Sequence, residues 1–319
     1  MEDDEVLPRL RKGRVLTPAR FGCLNGIPTL NITSGCLFRC TYCYARGYSQ
    51  APKAGEVHLY TNLPDLLKKE LSKKKTILPW VILNTSSDCF QTHPDILEVT
   101  YEVIRILLSH QIGISFLTKG IIPHRFIQLL EESPEKILAQ IGLVSLSAQY
   151  WRGYEPGTPS PEERLVNIQK LKTIGILPEV RIDPIIPFVT HTESEMVSLF
   201  GRLEELDIKR VTLSYLHLRP SIHHQLMREL PPLHQRLIES CFRTQDWKAI
   251  GSSSQSKLLP SPIRELGYQR IREIAEAFGI TASICQCKNP DMKGDLCVSS
   301  RVRMSTKKRK PSQLSLFQC

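Results

Sequence analysis

The segment Cys36-Leu-Phe-Arg-Cys40-Thr-Tyr-Cys43 places three thiols within eight residues. Intervals of three and two residues put the sulfurs on one small loop, close enough to share a metal centre. A structural zinc takes four closed ligands, usually as two separated pairs, and Cys23, ahead of the first expected strand, could complete such a set. A four-iron, four-sulfur cluster takes one thiolate per iron. Three clustered thiols would then leave one iron open to another ligand. Spacing by itself allows either centre.

A second group follows near the C-terminal side. Cys285-Gln-Cys287 and Cys297 are separated by two turn signals, Asn289-Pro-Asp and Lys293-Gly-Asp, and are expected to close around a metal. An auxiliary iron–sulfur cluster or a zinc ion would fit, with Cys241 or Cys319 as fourth ligand. The chain carries ten cysteines and begins Met-Glu-Asp-Asp-Glu, the reverse of a secretory signal's basic start. A cytoplasmic location is expected, with thiols serving metals or catalysis rather than disulfides. No run approaches 18 apolar residues, so no membrane partner is expected.

Both groups must be held by regular elements. From residue 28 to about 215, short apolar runs alternate with amphipathic stretches. Strands are expected at Pro28–Ile32, Trp80–Leu83, Gly113–Leu117, Ile141–Leu146, Glu179–Ile182 and Arg210–Tyr215. Helices are expected at Asn62–Leu71, Asp95–Leu108, His124–Glu131, Pro161–Leu171 and Thr192–Leu206, the last opening with the capping-box pattern Thr-Glu-Ser-Glu. Such alternation predicts an α/β fold with a parallel sheet and right-handed crossovers. Six units make an incomplete (β/α)6 TIM-type barrel, with its reactive groups at the C-terminal ends of the strands. Residues 1–27 read as an N-terminal extension and 28–216 as the partial barrel. Residues 217–300 read as a helical, cysteine-bearing segment, with helices at Pro231–Trp247 and Pro262–Phe278. Residues 301–319 read as a disordered basic tail.

With 41% hydrophobic and 23% charged residues, a wholly disordered chain is excluded. The formal net charge is +10. Arg301, Arg303, Lys307, Lys308, Arg309 and Lys310 all follow residue 300, where there is no Asp or Glu. A basic tail on a moderately basic body suits a polyanionic partner such as DNA. Near the end, Gln313-Leu314-Ser-Leu316-Phe317 resembles the bacterial sliding-clamp-binding motif. That resemblance implies that the leucines and Phe317 fill an apolar groove while Gln313 fixes the register.

The Cys-x3-Cys-x2-Cys loop after the first strand resembles the signature of radical S-adenosylmethionine (SAM) enzymes, with Tyr42 at the aromatic position. The resemblance implies a 4Fe–4S cluster on Cys36, Cys40 and Cys43. Its open iron would chelate the amine and carboxylate of SAM and yield a 5′-deoxyadenosyl radical. A closer resemblance runs from residue 28 to 187. Asn31-Ile-Thr-Ser-Gly-Cys36, Cys43-Tyr-Ala-Arg46, Asn84-Thr-Ser-Ser-Asp88, Leu117-Thr-Lys-Gly120, Glu155-Pro-Gly-Thr-Pro-Ser-Pro161 with Arg164-Leu165, and Asp183-Pro-Ile-Ile-Pro187 occur in that order. They resemble the spore photoproduct lyase-like, or DNA repair photolyase-like, subgroup.

That likeness implies site roles residue by residue. Ser87 and Asp88 would hold the cofactor's ammonium, and Lys119 and Arg181 its carboxylate. Ser145 and Ser147, taken to share a strand face, would meet the ribose hydroxyls. Glu155-Pro-Gly-Thr-Pro would be a lid or a tight connection. The sequence also departs from the pattern. The glycine-rich version of the ammonium-binding segment is absent, and Thr85 stands where spore photoproduct lyase is similar in carrying a hydrogen-donating cysteine. Cys89, just past Asp88, is the nearest candidate for that catalytic role. The expected activity is lyase-like repair or modification of DNA. RNA or a peptide as substrate is one alternative, and a non-catalytic, zinc-bound DNA or clamp adaptor another.

Overall fold

The apolar runs expected as strands lie side by side in one sheet of a computed structural model that describes residues 4–20, 22–74, 78–250, 253–295 and 302. In chain order, β1 (Glu5–Arg9), β2 (Thr17–Pro18) and β3 (Pro28–Leu30) come first, and β4 (Thr33–Ser34) and β5 (Glu56–Tyr60) flank the cysteine loop. There follow α1 (Leu63–Ser72), β6 (Trp80–Leu83), α2 (Pro94–Ser109), β7 (Gly113–Thr118) and α3 (His124–Glu131). Then come β8 (Ile137–Gly142), α4 (Ala148–Tyr154), α5 (Pro161–Thr173), β9 (Glu179–Ile185), α6 (Glu193–Glu205) and β10 (Arg210–Tyr215). The last part holds α7 (Pro220–Glu229), α8 (Pro232–Phe242), the hairpin β11 (Lys248–Ile250) and β12 (Ser253–Ser256), α9 (Ser261–Ala277) and β13 (Thr281–Ile284).

The main sheet has eight strands in the order β13-β10-β9-β8-β7-β6-β3-β2. All neighbours are parallel except β2, which runs antiparallel to β3. This is the expected open barrel, extended at both edges. β13 adds a parallel strand beyond β10, and β2 draws part of the N-terminal extension into the sheet. A second, three-stranded sheet, β1-β5-β4, sits beside the cysteine loop.

Two local expectations shift. The fourth strand is Ile137–Gly142 rather than Ile141–Leu146. Residues 143–145 are buried without strand pairing, and Ser147 begins α4 instead. At Thr192 the side chain accepts from Glu195 N, but the Glu195 carboxylate accepts from Ser145 Oγ at 2.6 Å, so only half the capping box forms. The complete box is at α5, where Ser160 and Glu163 satisfy each other's backbone N–H groups.

The core lies between the sheet and α1–α6. Phe90 meets Phe116 and Phe126 edge-on with centroids 5.2 Å apart, a favoured aromatic geometry. Inside the barrel, Ile27, Trp80 and Ile82 form a smaller cluster that also buries Val302. The chain is therefore packed, not free, at this point just past residue 300. Among the described residues, no helix is long and apolar enough to cross a membrane.

Candidate active site

The cysteine loop is fixed from several sides before any ligand is considered. Arg39 adopts φ +46° and turns the chain between Cys36 and Cys40, while Cys43 N donates to Cys40 O at 3.1 Å. Leu37 N donates to Gln91 Oε1 at 2.8 Å. Gln225 on α7 donates to the carbonyls of Thr41 and Cys43 at 3.2 and 3.1 Å. Arg46 adds a bond to Cys40 O while pairing with Glu229 at 2.6 Å. The loop is thus a preformed scaffold.

All three thiols line one cavity of about 200 Å³, together with Tyr42, the segment 84–88, Leu117, Thr118 and Lys119. Burial pushes the Cys36 thiol up, and Asp88 adds to the rise. Burial also raises Cys40, to about 12, with Lys119 as the main opposing influence. A donor set of three thiols beside a buried cation fits a four-iron cluster that has three protein ligands and one open iron.

Across the cavity, Asn84 takes φ +57° at the end of β6. Its amide ties the turn together, accepting from Ile32 N at 3.1 Å and donating to Ser87 Oγ at 3.0 Å. Asp88 accepts from Phe90 N at 2.8 Å, Thr118 Oγ1 at 2.7 Å and Lys119 N at 2.7 Å. Burial raises its carboxyl despite those donors. The side chain therefore clamps β6 to β7 and also faces the cavity.

A buried charged pair stands behind Tyr42. Glu155 and Arg164 form an ion pair at 2.5 Å with both side chains 1% exposed. Tyr42 donates its hydroxyl to the same carboxylate. Burial opposes the charge on Glu155, yet Arg164 and then Lys119 hold its carboxyl below the usual range. Lys119, 5.6 Å from the centre of the Tyr42 ring, is itself opposed by burial but raised on balance by Glu155 and Cys40. The Glu155–Pro159 loop packs tightly in this structure. A Cβ on Gly157 would stand 2.5 Å from Leu37 O, so the loop lies directly against the cysteine loop.

Three expected site residues are placed elsewhere. Ser147 caps α4, accepting from Tyr150 N at 3.2 Å, and Ser145 is occupied by Glu195. Neither lines the cavity, because the strand expected to present them ends at Gly142. Cys89 is fully buried in the main core and does not line either cavity. Arg181 lies on β9, in a larger space of about 540 Å³. The two cavities share Tyr44, Asn84, Thr85, Leu117, Asp183, His217 and Lys288. In the larger one Arg181 pairs with Asp183 at 2.9 Å. Tyr44 has the Arg219 guanidinium 5.0 Å and the Lys288 ammonium 5.4 Å from its ring centre.

The second cysteine group differs in membership from its expected form. Cys285 and Cys287 meet Cys23, all three sulfurs lying within 4.8 Å of one another. Cys241 sits on α8, outside this group. Cys297, Cys319 and the peptide Gln313, Leu314, Leu316 and Phe317 lie outside the described residues.

The family model described as the radical SAM superfamily matches residues 30–203. The chain belongs to the radical SAM superfamily. With this family come its cofactors, a 4Fe–4S cluster and SAM. Among curated relatives, uncharacterised proteins of Mycobacterium tuberculosis and Mycobacterium bovis are 27% identical over 220 residues. That alignment covers 66% of this chain and 64% of theirs. A radical SAM Nalpha-GlyT isomerase of Pseudomonas phage M6 is 22% identical, over 78% of this chain and 51% of the isomerase. Among solved structures, a spore photoproduct lyase variant superposes with a TM-score of 0.65 at 16% identity, covering 87% of this radical SAM chain and 81% of that one. A second, solved with AdoMet and dinucleoside spore photoproduct, matches equally at 14% identity. These likenesses show a shared fold.

Proposed function

We propose that this radical SAM enzyme acts on a nucleobase in DNA, in lyase-like repair or modification. The observation that carries this reading is the joining of the thiol-lined cavity to a larger one walled by Tyr44, Tyr48, Arg20, Arg181, Arg219 and Lys288. Arg219 Nε is buried with no hydrogen-bond partner among the described residues, a donor suited to an anionic group. Aromatic rings interleaved with cations suit a base and its phosphate, and a base must leave its stack to enter such an enclosed space.

In this reading Cys36, Cys40 and Cys43 hold the cluster. Ser87 and Asp88 receive the cofactor's ammonium, and Lys119, with Arg181 further along the wall, receives its carboxylate. Tyr42, anchored on Glu155, supports Lys119 from one side. When bound, cluster and SAM supply reductive sulfonium cleavage and a hydrogen-abstracting carbon radical. The chain's own residues orient the substrate and, through the enclosed walls, keep water from the reacting atoms.

The test uses anaerobically reconstituted protein with SAM, a reductant and uniformly deuterated DNA, both intact and ultraviolet-irradiated. Deuterium should appear in 5′-deoxyadenosine, and the Cys36→Ala, Cys40→Ala and Cys43→Ala variants should abolish its formation. Label arriving from deuterated RNA or peptide, and none from DNA, would overturn the assignment of substrate. The clamp-binding reading of the tail is tested separately. Leu316→Ala with Phe317→Ala should abolish binding to the bacterial sliding clamp while leaving SAM cleavage intact.

A further inference from the structure

We infer that Cys23, Cys285 and Cys287 form a second metal site, a mononuclear zinc–thiolate clip that joins the two edges of the open barrel. The turn Gly22–Leu24 lies between β2 and β3 at one edge of the main sheet, and the turn Gln286–Lys288 follows β13 at the other. These turns pack against each other, although Cys23 and Cys285 are 262 positions apart in the chain.

The site is built rather than accidental. Gly22 takes φ +47°, and a Cβ there would stand 2.8 Å from Cys287 Cβ and 3.1 Å from its sulfur. Only glycine permits this conformation and this approach together. On the other side, Cys285 N donates to Leu213 O at 3.1 Å, and Asn289 Nδ2 donates to Cys285 O at 2.9 Å. Asn289 is held in turn by Arg264 at 3.0 Å and Tyr268 at 3.2 Å. Such outer bonds orient metal ligands.

The sulfur spacing selects the kind of centre. At a zinc–sulfur bond of about 2.3 Å, the sulfurs of a tetrahedral site are about 3.8 Å apart. The observed separations are all within 4.8 Å, and Cys285 and Cys287 stand 3.0 Å apart, so small side-chain rotations reach that figure. A 4Fe–4S cluster binds each thiolate to a different iron, which demands a wider spread than Cys-x-Cys and Cys23 provide. The three thiolates occupy three corners of one tetrahedron, and they release their protons as zinc binds.

The experiment measures metal content and zinc X-ray absorption on the full chain carrying Cys36→Ala, Cys40→Ala and Cys43→Ala, which removes the iron of the first loop. One zinc per chain with at least three sulfur neighbours near 2.3 Å is expected. Adding Cys23→Ser or Cys285→Ser should cut the zinc content at least tenfold. If those variants do not fold, cobalt loaded into the first-loop variant gives the same decision. Tetrahedral cobalt–thiolate bands support the site, and octahedral or absent bands overturn it. Zinc below a tenth of an equivalent, iron in a second cluster, or a disulfide among the three sulfurs in reduced, anaerobic protein would each overturn the inference.

Discussion

Lys288 reaches from the turn after β13 to Asp183 on β9, with Nζ 2.6 and 2.7 Å from the two carboxylate oxygens. Burial opposes the charge on Asp183, but Lys288 and then Arg181 lower its pKa to about 2. Lys288→Met removes one of two cations from a carboxylate that is 9% exposed. The expected loss is about 3 kcal/mol, at the low end for a broken buried pair because Arg181 remains. The difference in urea unfolding free energy at pH 7 measures it. It should fade as the pH drops from about 4 toward 2, because Asp183 must be ionised for the pair to matter.

His217 gives a separate pH signature. Burial, and then Lys288, lower its pKa to about 4. The folded protein keeps this imidazole neutral, while the unfolded chain takes up a proton near pH 6.5. Its contribution is therefore complete above pH 6.5 and is lost as the pH falls toward 4, by about 1–3 kcal/mol. Unfolding curves for wild type and His217→Gln should converge over that interval. Parallel curves would refute the assignment.

Glu155→Gln keeps the shape of the side chain but leaves the Arg164 guanidinium uncompensated at 1% exposure. A loss of about 3–5 kcal/mol is expected. Because Tyr42 donates to the same carboxylate, iron content after reconstitution should also fall. Urea denaturation and iron analysis of the same sample test both statements.

Gly157→Ala forces a methyl group to within 2.5 Å of Leu37 O, a backbone atom that cannot rotate away. The expected cost is about 1–3 kcal/mol, with reduced iron occupancy because the cysteine loop must move. Gly153→Ala is the control. Nothing lies within 4 Å of a Cβ there, and alanine inside α4 should gain about 0.5–1 kcal/mol.

How far the sequence could be read depends on which signals are local. Strand ends carrying Cys36, Asp88 and Lys119 were legible because each polar motif directly follows an apolar run. The fourth strand was set too late because apolar character continues through Ile141–Leu146, whereas pairing with β9 stops at Gly142. β13 was missed because Thr-Ala-Ser-Ile is too short and weakly apolar to stand out, and is made a strand by pairing with β10. Glu155 and Arg164 were legible as parts of one motif, in a loop that read as a lid or a tight connection, but not as a buried ion pair. The one available hint was an arginine adjoining Leu165 on the apolar side of α5. Cys23 had no readable link to Cys285, since only tertiary packing brings them together.

The contact between the turns at 22–24 and 286–288 also sets an order of events during synthesis. A ribosome exposes the cysteine triplet and its supporting strands long before Gln286 emerges. The barrel seam therefore closes last, after nearly every other long-range pairing is available. Nascent chains stalled before residue 285 should show the Gly22–Leu24 turn open to proteases, so its protection would report that translation has passed that point.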